Sequence, residues 1–186
     1  MPTYQNNHFP FQDDKKIKEL KHDYRAISEE SYSKTGRRVV APDNVDQWLK
    51  ELQSKGQPEC HFMELYSGSG RLSLAMATTG LSVACPIDFR YGWDINDYNH
   101  QQKLWRVIKA LKPRVIFASP RCRFHSTASN TMSTEKKLVG RAEDEPGLNF
   151  VKKVFQHQAY EGRGYAAEHG RTTLGLNTLH RQPLLP

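Results

Sequence analysis

At 186 residues with a formal net charge of +7, the chain can build one cored domain and leaves too little for a second of ordinary size. A hydrophobic share of 37% and a mean hydropathy of −0.74 confine the core to the middle, and neither a run of membrane-spanning length nor an apolar N-terminal signal core is present, so a soluble, intracellular protein is expected. The basic balance suits a polyanion such as nucleic acid, while three cysteines (Cys60, Cys85, Cys122) without C-x-x-C spacing argue against a disulfide framework or a zinc site and for a reducing compartment.

Residues 1–12 mix Pro, Asn, Gln and aromatics without a period, which predicts an unstructured lead-in. Over 13–32, acids and bases alternate around Ile17, Leu20, Tyr24 and Ile27, a helical stripe with Asp13 or Asp14 as N-cap. A helix over 45–52 carrying Trp48 follows, ended by Gly56 and Pro58. Residues 1–58 are therefore expected to form a polar, partly helical appendage ahead of the main fold.

Residues 61–75 then predict a buried strand (Phe62, Met63, Leu65), a sharp turn at Gly68 and Gly70, and a helix whose apolar face is Leu72, Leu74, Ala75 and Ala77. A strand, glycine turn and helix is the arrangement of a nucleotide-cofactor loop, but NAD fits poorly. The third glycine of G-x-G-x-x-G is Ser73, and an acid, Glu64, already stands in the strand. Gly80 ends the helix and residues 81–85 predict a second strand. Asp88 follows, about twenty residues after the loop, where a strand-end carboxylate can accept hydrogen bonds from the ribose hydroxyls of an adenosine cofactor. Tyr91, Trp93 and Asp94 read equally well as the wall of an adenine site or as a packed turn.

A helix over Tyr98–Leu111 with Leu104, Trp105, Ile108 and Leu111 inward is ended by Pro113. Residues 114–118 are the most strand-like run and deliver 119–126 to the sheet edge where open α/β sheets hold their chemistry. Residues 126–144 are polar and predict a mobile loop over the site, in which Lys136, Lys137 and Arg141 could meet phosphates. A helix over 147–160 with Leu148, Val151, Val154 and Phe155 inward, and a strand over 164–169 containing Glu168, complete the pattern.

With Glu64 separated by two residues from Ser67-Gly68-Ser69-Gly70, Asp88 at the second strand end, and Arg121-Cys122-Arg123-Phe124-His125-Ser126 after the third, the chain resembles the class I S-adenosylmethionine-dependent methyltransferases, and most closely the DNA (cytosine-5) methyltransferases. That resemblance covers about residues 60–180. It implies a Rossmann-like α/β fold, a mostly parallel sheet of about five strands with flanking helices and the helical N-terminal appendage, in an incomplete domain over 59–180 with a tail at 181–186. It further implies S-adenosylmethionine as cofactor, contacted by Glu64, Tyr66, Gly68, Gly70, Asp88, Asp94, Ser119 and Pro120. Cys122 would be the nucleophile at C6 of a flipped cytosine, and Glu168 the acid at N3. Arginines stand where the family has proline before the cysteine and glutamine after it, and His169-Gly170 replace the residues that follow the family's glutamate. A thiol between two arginines would have its thiolate favoured.

The implied partner is nucleic acid, DNA in preference to RNA. The family's later strands and target-recognition domain have no counterpart, so a second chain or a C-terminal continuation is expected to supply them. Amino- or RNA-directed methyltransferases are the nearest alternative, because Ser119-Pro120 begins their loop pattern, although Cys122 stands where they need an aromatic residue. A non-catalytic nucleic-acid or partner-binding module that keeps the fold is the other.

Overall fold

The structure is a computed structural model and describes residues 40–55, 60–121, 123–124 and 130–168. The helix expected over 13–32, the nucleophile Cys122, and everything after Glu168 lie outside the described residues.

In chain order the elements are a 3-10 turn at Pro42–Asn44, helix α1 (Val45–Lys55), strand β1 (Phe62–Leu65), helix α2 (Arg71–Thr78), a 3-10 turn at Phe89–Tyr91, helix α3 (Tyr98–Leu111), strand β2 (Val115–Ala118), helix α4 (Thr134–Tyr160) and strand β3 (Gly164–Ala167). The strands form one parallel sheet in the order β1-β2-β3, with Leu65 level with Ala118 and Ala118 level with Ala167. The protein is thus mixed α/β, with three strands and four α-helices among the described residues.

The second expected strand runs parallel beside β1 but meets it only at two bridges, Phe62 with Val83 and Leu65 with Ile87. The bridged residues are three apart on β1 and four apart on its neighbour, so the neighbour carries one extra residue. Pro86 is the cause: it has no N–H, and the bond to Glu64 O comes instead from Ile87 N at 3.1 Å. The resulting bulge sends Ile87 into the core at 0% exposure and delivers Asp88 to the sheet's C-terminal edge.

Helix α3 begins at the residue expected because the Asp97 carboxylate accepts from His100 N at 2.9 Å, and ends where Lys112 turns left-handed ahead of Pro113. Its buried stripe is Leu104, Val107, Ile108 and Leu111, with Trp105 half-buried against Phe150 and His157 of α4. Residues 40–55 join the same core through Val40, Val45, Trp48 and Leu49. The Trp93 indole N–H donates to Val40 O at 2.7 Å.

Residues 134–144 are helix, not the expected loop: α4 starts at Thr134, where the Ser133 hydroxyl accepts from Lys136 N, and Glu135 stands in the first turn. The Phe124 ring lies against bare Gly140, where any Cβ would collide with it. Pro146 interrupts the ladder of α4, and partners outside the helix serve the break. Gly147 N donates to Asn96 Oδ1 at 3.0 Å, and Pro146 O accepts from Gln101 Nε2 at 3.2 Å. Near the far end of α4, fully buried Gln158 donates to Pro113 O and Gly164 O and accepts from Arg163 Nε, joining the entries of β2 and β3 to the helix.

The apolar face expected on α2 is only half-buried, and Ala75 is exposed. The buried residue of that helix is Ser73, because α2 is moored by a carboxylate and not by apolar packing alone.

Candidate functional site

The parallel register brings the sequence-predicted residues to one edge. Tyr66, Ser119 and Glu168 are each the next residue after the level positions Leu65, Ala118 and Ala167, and Asp88 follows the bridged Ile87. Backbone bonds tie these exits together: Ser119 N donates to Leu65 O at 3.1 Å, Glu168 N to Ala118 O at 3.0 Å, and Ser67 N to Ile87 O at 3.0 Å.

The turn after β1 needs three left-handed residues in five, Tyr66 (φ 57°), Gly68 (φ 55°) and Gly70 (φ 70°). Glycine adopts this without a Cβ penalty, whereas Tyr66 does so at a cost of order 1 kcal/mol. Two carboxylates hold the turn. Asp88 Oδ2 accepts from Gly68 N at 2.9 Å and Oδ1 from Arg90 N at 3.0 Å. Glu64 Oε2 accepts from both the N–H and the hydroxyl of Ser73, at 3.0 and 2.6 Å. Burial raises the pKa of both acids. The Ser73 donors oppose it at Glu64, and the Arg90 and Gly68 N–H groups, then the Arg90 and Arg121 guanidiniums, oppose it at Asp88.

Glu64 is 5% exposed and is engaged in mooring α2, so it offers a ligand almost no surface. Asp88 is only partly covered, and each of its oxygens keeps acceptor capacity beyond the one bond it makes. Ser67 Oγ is buried and makes no hydrogen bond among the described residues. Beside Gly68, an added Cβ would meet nothing within 4 Å.

Tyr66 is half-buried, with its hydroxyl against Gly147 and close to Asn96. Burial, then Asp144 and Asp94, push its phenol well above the ordinary value while Arg121 opposes them, so the hydroxyl stays neutral. Asp94 caps a local turn, Oδ1 accepting from Asn96 N at 3.0 Å, and its own N–H donates to His100 Nδ1. Tyr91 and Trp93 are core residues at 0% and 1% exposure, which makes this segment a packed turn and removes both rings from any adenine wall.

On the β2 exit Ser119 is half-buried, Pro120 buried and Arg121 exposed. The Arg123 guanidinium stands 5.5 Å from the Phe124 ring centre, and Arg141 Nε donates to Phe124 O at 2.9 Å. The β3 exit leaves Glu168 exposed. Sequence reasoning passed over Ser73, counted only as a missing glycine, and Asn96, whose contact with Gly147 bridges fifty-one positions and leaves no local signal. Among the described residues no three His, Cys, Asp or Glu side chains group as metal ligands, and no helix is long and apolar enough to cross a membrane.

The fold and this edge define the class at the level of a mixed α/β protein with a parallel sheet and a glycine turn braced by acids. Comparison with known proteins adds nothing to that class: no family model, no curated protein and no solved structure matches the chain.

Proposed function

We propose that this chain is a methyltransferase-like domain that binds S-adenosylmethionine at the glycine turn and belongs to the DNA (cytosine-5) type of chemistry. The observation that carries the reading is the contact of Asp88 with Gly68 N across the ends of neighbouring strands, with Ser119 and Glu168 next along the same edge. The residues present fit the cofactor. A buried Ser67 hydroxyl with no partner among the described residues, spare acceptor capacity on Asp88 and open space over Gly68 suit a ribose with two hydroxyls. Tyr66, Gly70, Asp94, Ser119 and Pro120 would border it. When bound, it supplies an electrophilic methyl group.

The chain's own share of the reaction would fall to two residues. Cys122, between Arg121 and Arg123, would add as thiolate to C6 of cytosine, and Glu168 would offer a proton at N3, becoming buried only when a base enters. A non-catalytic module that keeps the fold is the second reading. It is favoured by the use of Glu64, and of one lone pair on each oxygen of Asp88, inside the turn itself.

Calorimetric titration with S-adenosylmethionine and S-adenosylhomocysteine separates the two. Binding by the wild type, weakened about ten- to a hundredfold by Asp88→Ala, is expected when charge-assisted bonds to ribose worth about 1.5–3 kcal/mol are lost. A folded wild type that takes up neither ligand, or an unchanged affinity in the variant, would overturn the cofactor reading.

A further inference from the structure

A groove of about 360 Å³ runs between the first turns of α3 and the second half of α4, lined by Gln101, Asn149, Phe150, Lys152, Lys153 and Gln156. Asn149, Lys152, Lys153 and Gln156 are spaced i, i+3, i+4, i+7, which places them on one face of α4, and all four are exposed. The groove is built: Gln101 Nε2 donates to Ile95 O at 2.9 Å and to Pro146 O at 3.2 Å, bridging its two walls. Phe150, 5% exposed and edge-on to Trp105 at 6.2 Å, gives it a rigid apolar floor.

Its charge is of one sign. No acid occurs between Pro146 and Tyr160, and neither lysine has an ion pair among the described residues. The first half of α4 is different, because there Lys136, Lys137 and Arg141 are interspersed with Glu135, Glu143, Asp144 and Glu145. A merely solvated helix face carries that mixed pattern. A groove with two ammonium groups, three primary amides and a low-dielectric floor concentrates positive potential and offers only donors and neutral acceptors.

We infer that this groove is a docking track for the phosphodiester backbone of nucleic acid, separate from the strand-end edge and leading toward it. Pro146, which also borders the groove, is followed by the Gly147 that packs on Tyr66, so a strand laid along α4 reaches the edge at its upper end. Ammonium and amide groups grip phosphate oxygens without reading bases, so the track binds without sequence preference. The inference shares with the methyltransferase reading only the kind of partner, and it stands without any cofactor.

The test is fluorescence anisotropy of labelled duplex DNA, single-stranded DNA and RNA with the full chain, cofactor absent, from 50 to 200 mM salt. Lys152→Gln/Lys153→Gln should flatten the slope of log affinity against log salt by roughly 1.8 on duplex DNA, which is about tenfold less loss across that salt range. Lys152→Arg/Lys153→Arg should bind as wild type, and Lys50→Gln/Lys109→Gln, with the same net charge as the first variant, should keep the wild-type slope. A wild-type slope and affinity in Lys152→Gln/Lys153→Gln, an equal loss in Lys50→Gln/Lys109→Gln, or no binding by the wild type would each overturn the proposal. Inorganic phosphate that binds at millimolar concentration by calorimetry, with no binding of any oligonucleotide, would reduce the groove to a simple anion site and overturn it as well.

Discussion

Replacing Ser73 with alanine tests how the glycine turn is held. Ser73 is completely buried, and its hydroxyl donates to Glu64 Oε2 at 2.6 Å. The variant keeps the backbone donor at 3.0 Å but leaves a 5%-exposed carboxylate with one partner fewer. Losing a bond to a buried charge costs about 1.5–3 kcal/mol, and the better helix propensity of alanine returns a few tenths, so a net loss of about 1–2.5 kcal/mol is expected at neutral pH. With a urea m-value of about 1–3 kcal/mol/M the midpoint should fall by roughly 1 M.

The pH dependence carries the sharper signature. Because Glu64 is raised above its unfolded value of 4.5, the folded state binds the extra proton. Its contribution is therefore most favourable near and below pH 4.5 and is lost as pH rises through the raised folded value. Ser73→Ala removes a bond that lowers that value, which extends the window upward, so the variant's deficit should grow from pH 5 to pH 7. Urea melts at both pH values measure this. A deficit below about 0.5 kcal/mol at neutral pH, or one of equal size at both, would refute the argument.

Gln158→Leu should destabilise by about 2–4 kcal/mol, since three hydrogen bonds of a buried side chain, one of them fully buried, that join α4 to the entries of β2 and β3 vanish together; chemical denaturation measures it. Asp97→Ala removes the cap of α3 and should cost about 1 kcal/mol, a fall of roughly 2–4 °C in Tm by thermal melt. For the proposed chemistry, residues 1–186 should transfer labelled methyl groups to cytosine DNA slowly or not at all, because flipping a base out of its stack costs a few kcal/mol before Cys122 can reach it. Any trapping on 5-fluorocytosine DNA should vanish in Cys122→Ser, and Glu168→Gln should strongly reduce transfer. Activity that survives Cys122→Ala would exclude cytosine-5 chemistry.

The bounds of helix α3 were legible because its period, Pro113 stop and length agree, and so were Leu104, Ile108 and Leu111 of its stripe, whereas Val107 is buried and Trp105, expected inward, is only half-buried. Strands β1, β2 and β3 were legible as short apolar runs within about two residues of their bounds. The first half of α4 was not. Its polar composition, Gly140 and Pro146 all argue for loop, and what makes it helical is tertiary: Phe124 packed on Gly140, and Asn96 and Gln101 serving the proline break. The strand expected at 81–85 shrank to two bridges because Pro86 shifts the bonding by one residue, which a count of apolar residues does not register. At the site, the order of Gly68 and Asp88 could be read along the chain, but their direct bond could not. Whether an acid faces a ligand or braces its own turn depends on how deeply the turn folds back, as Glu64 and Ser73 illustrate.

The proline break in α4 has a consequence for how the protein opens. With one amide missing at Pro146 and the next shared with Asn96, the ladder transmits little cooperativity from Thr134 to Tyr160. The stretch beyond the break is anchored by Phe150, Val151, Val154 and Phe155, all nearly inaccessible, whereas Leu138 and Val139 before it are more than half exposed. The single rod should therefore show two units of unequal protection in hydrogen exchange. The leading turns, with Arg141 on the Phe124 carbonyl, can unwind and rewind beside the strand ends while the trailing turns stay closed on the sheet.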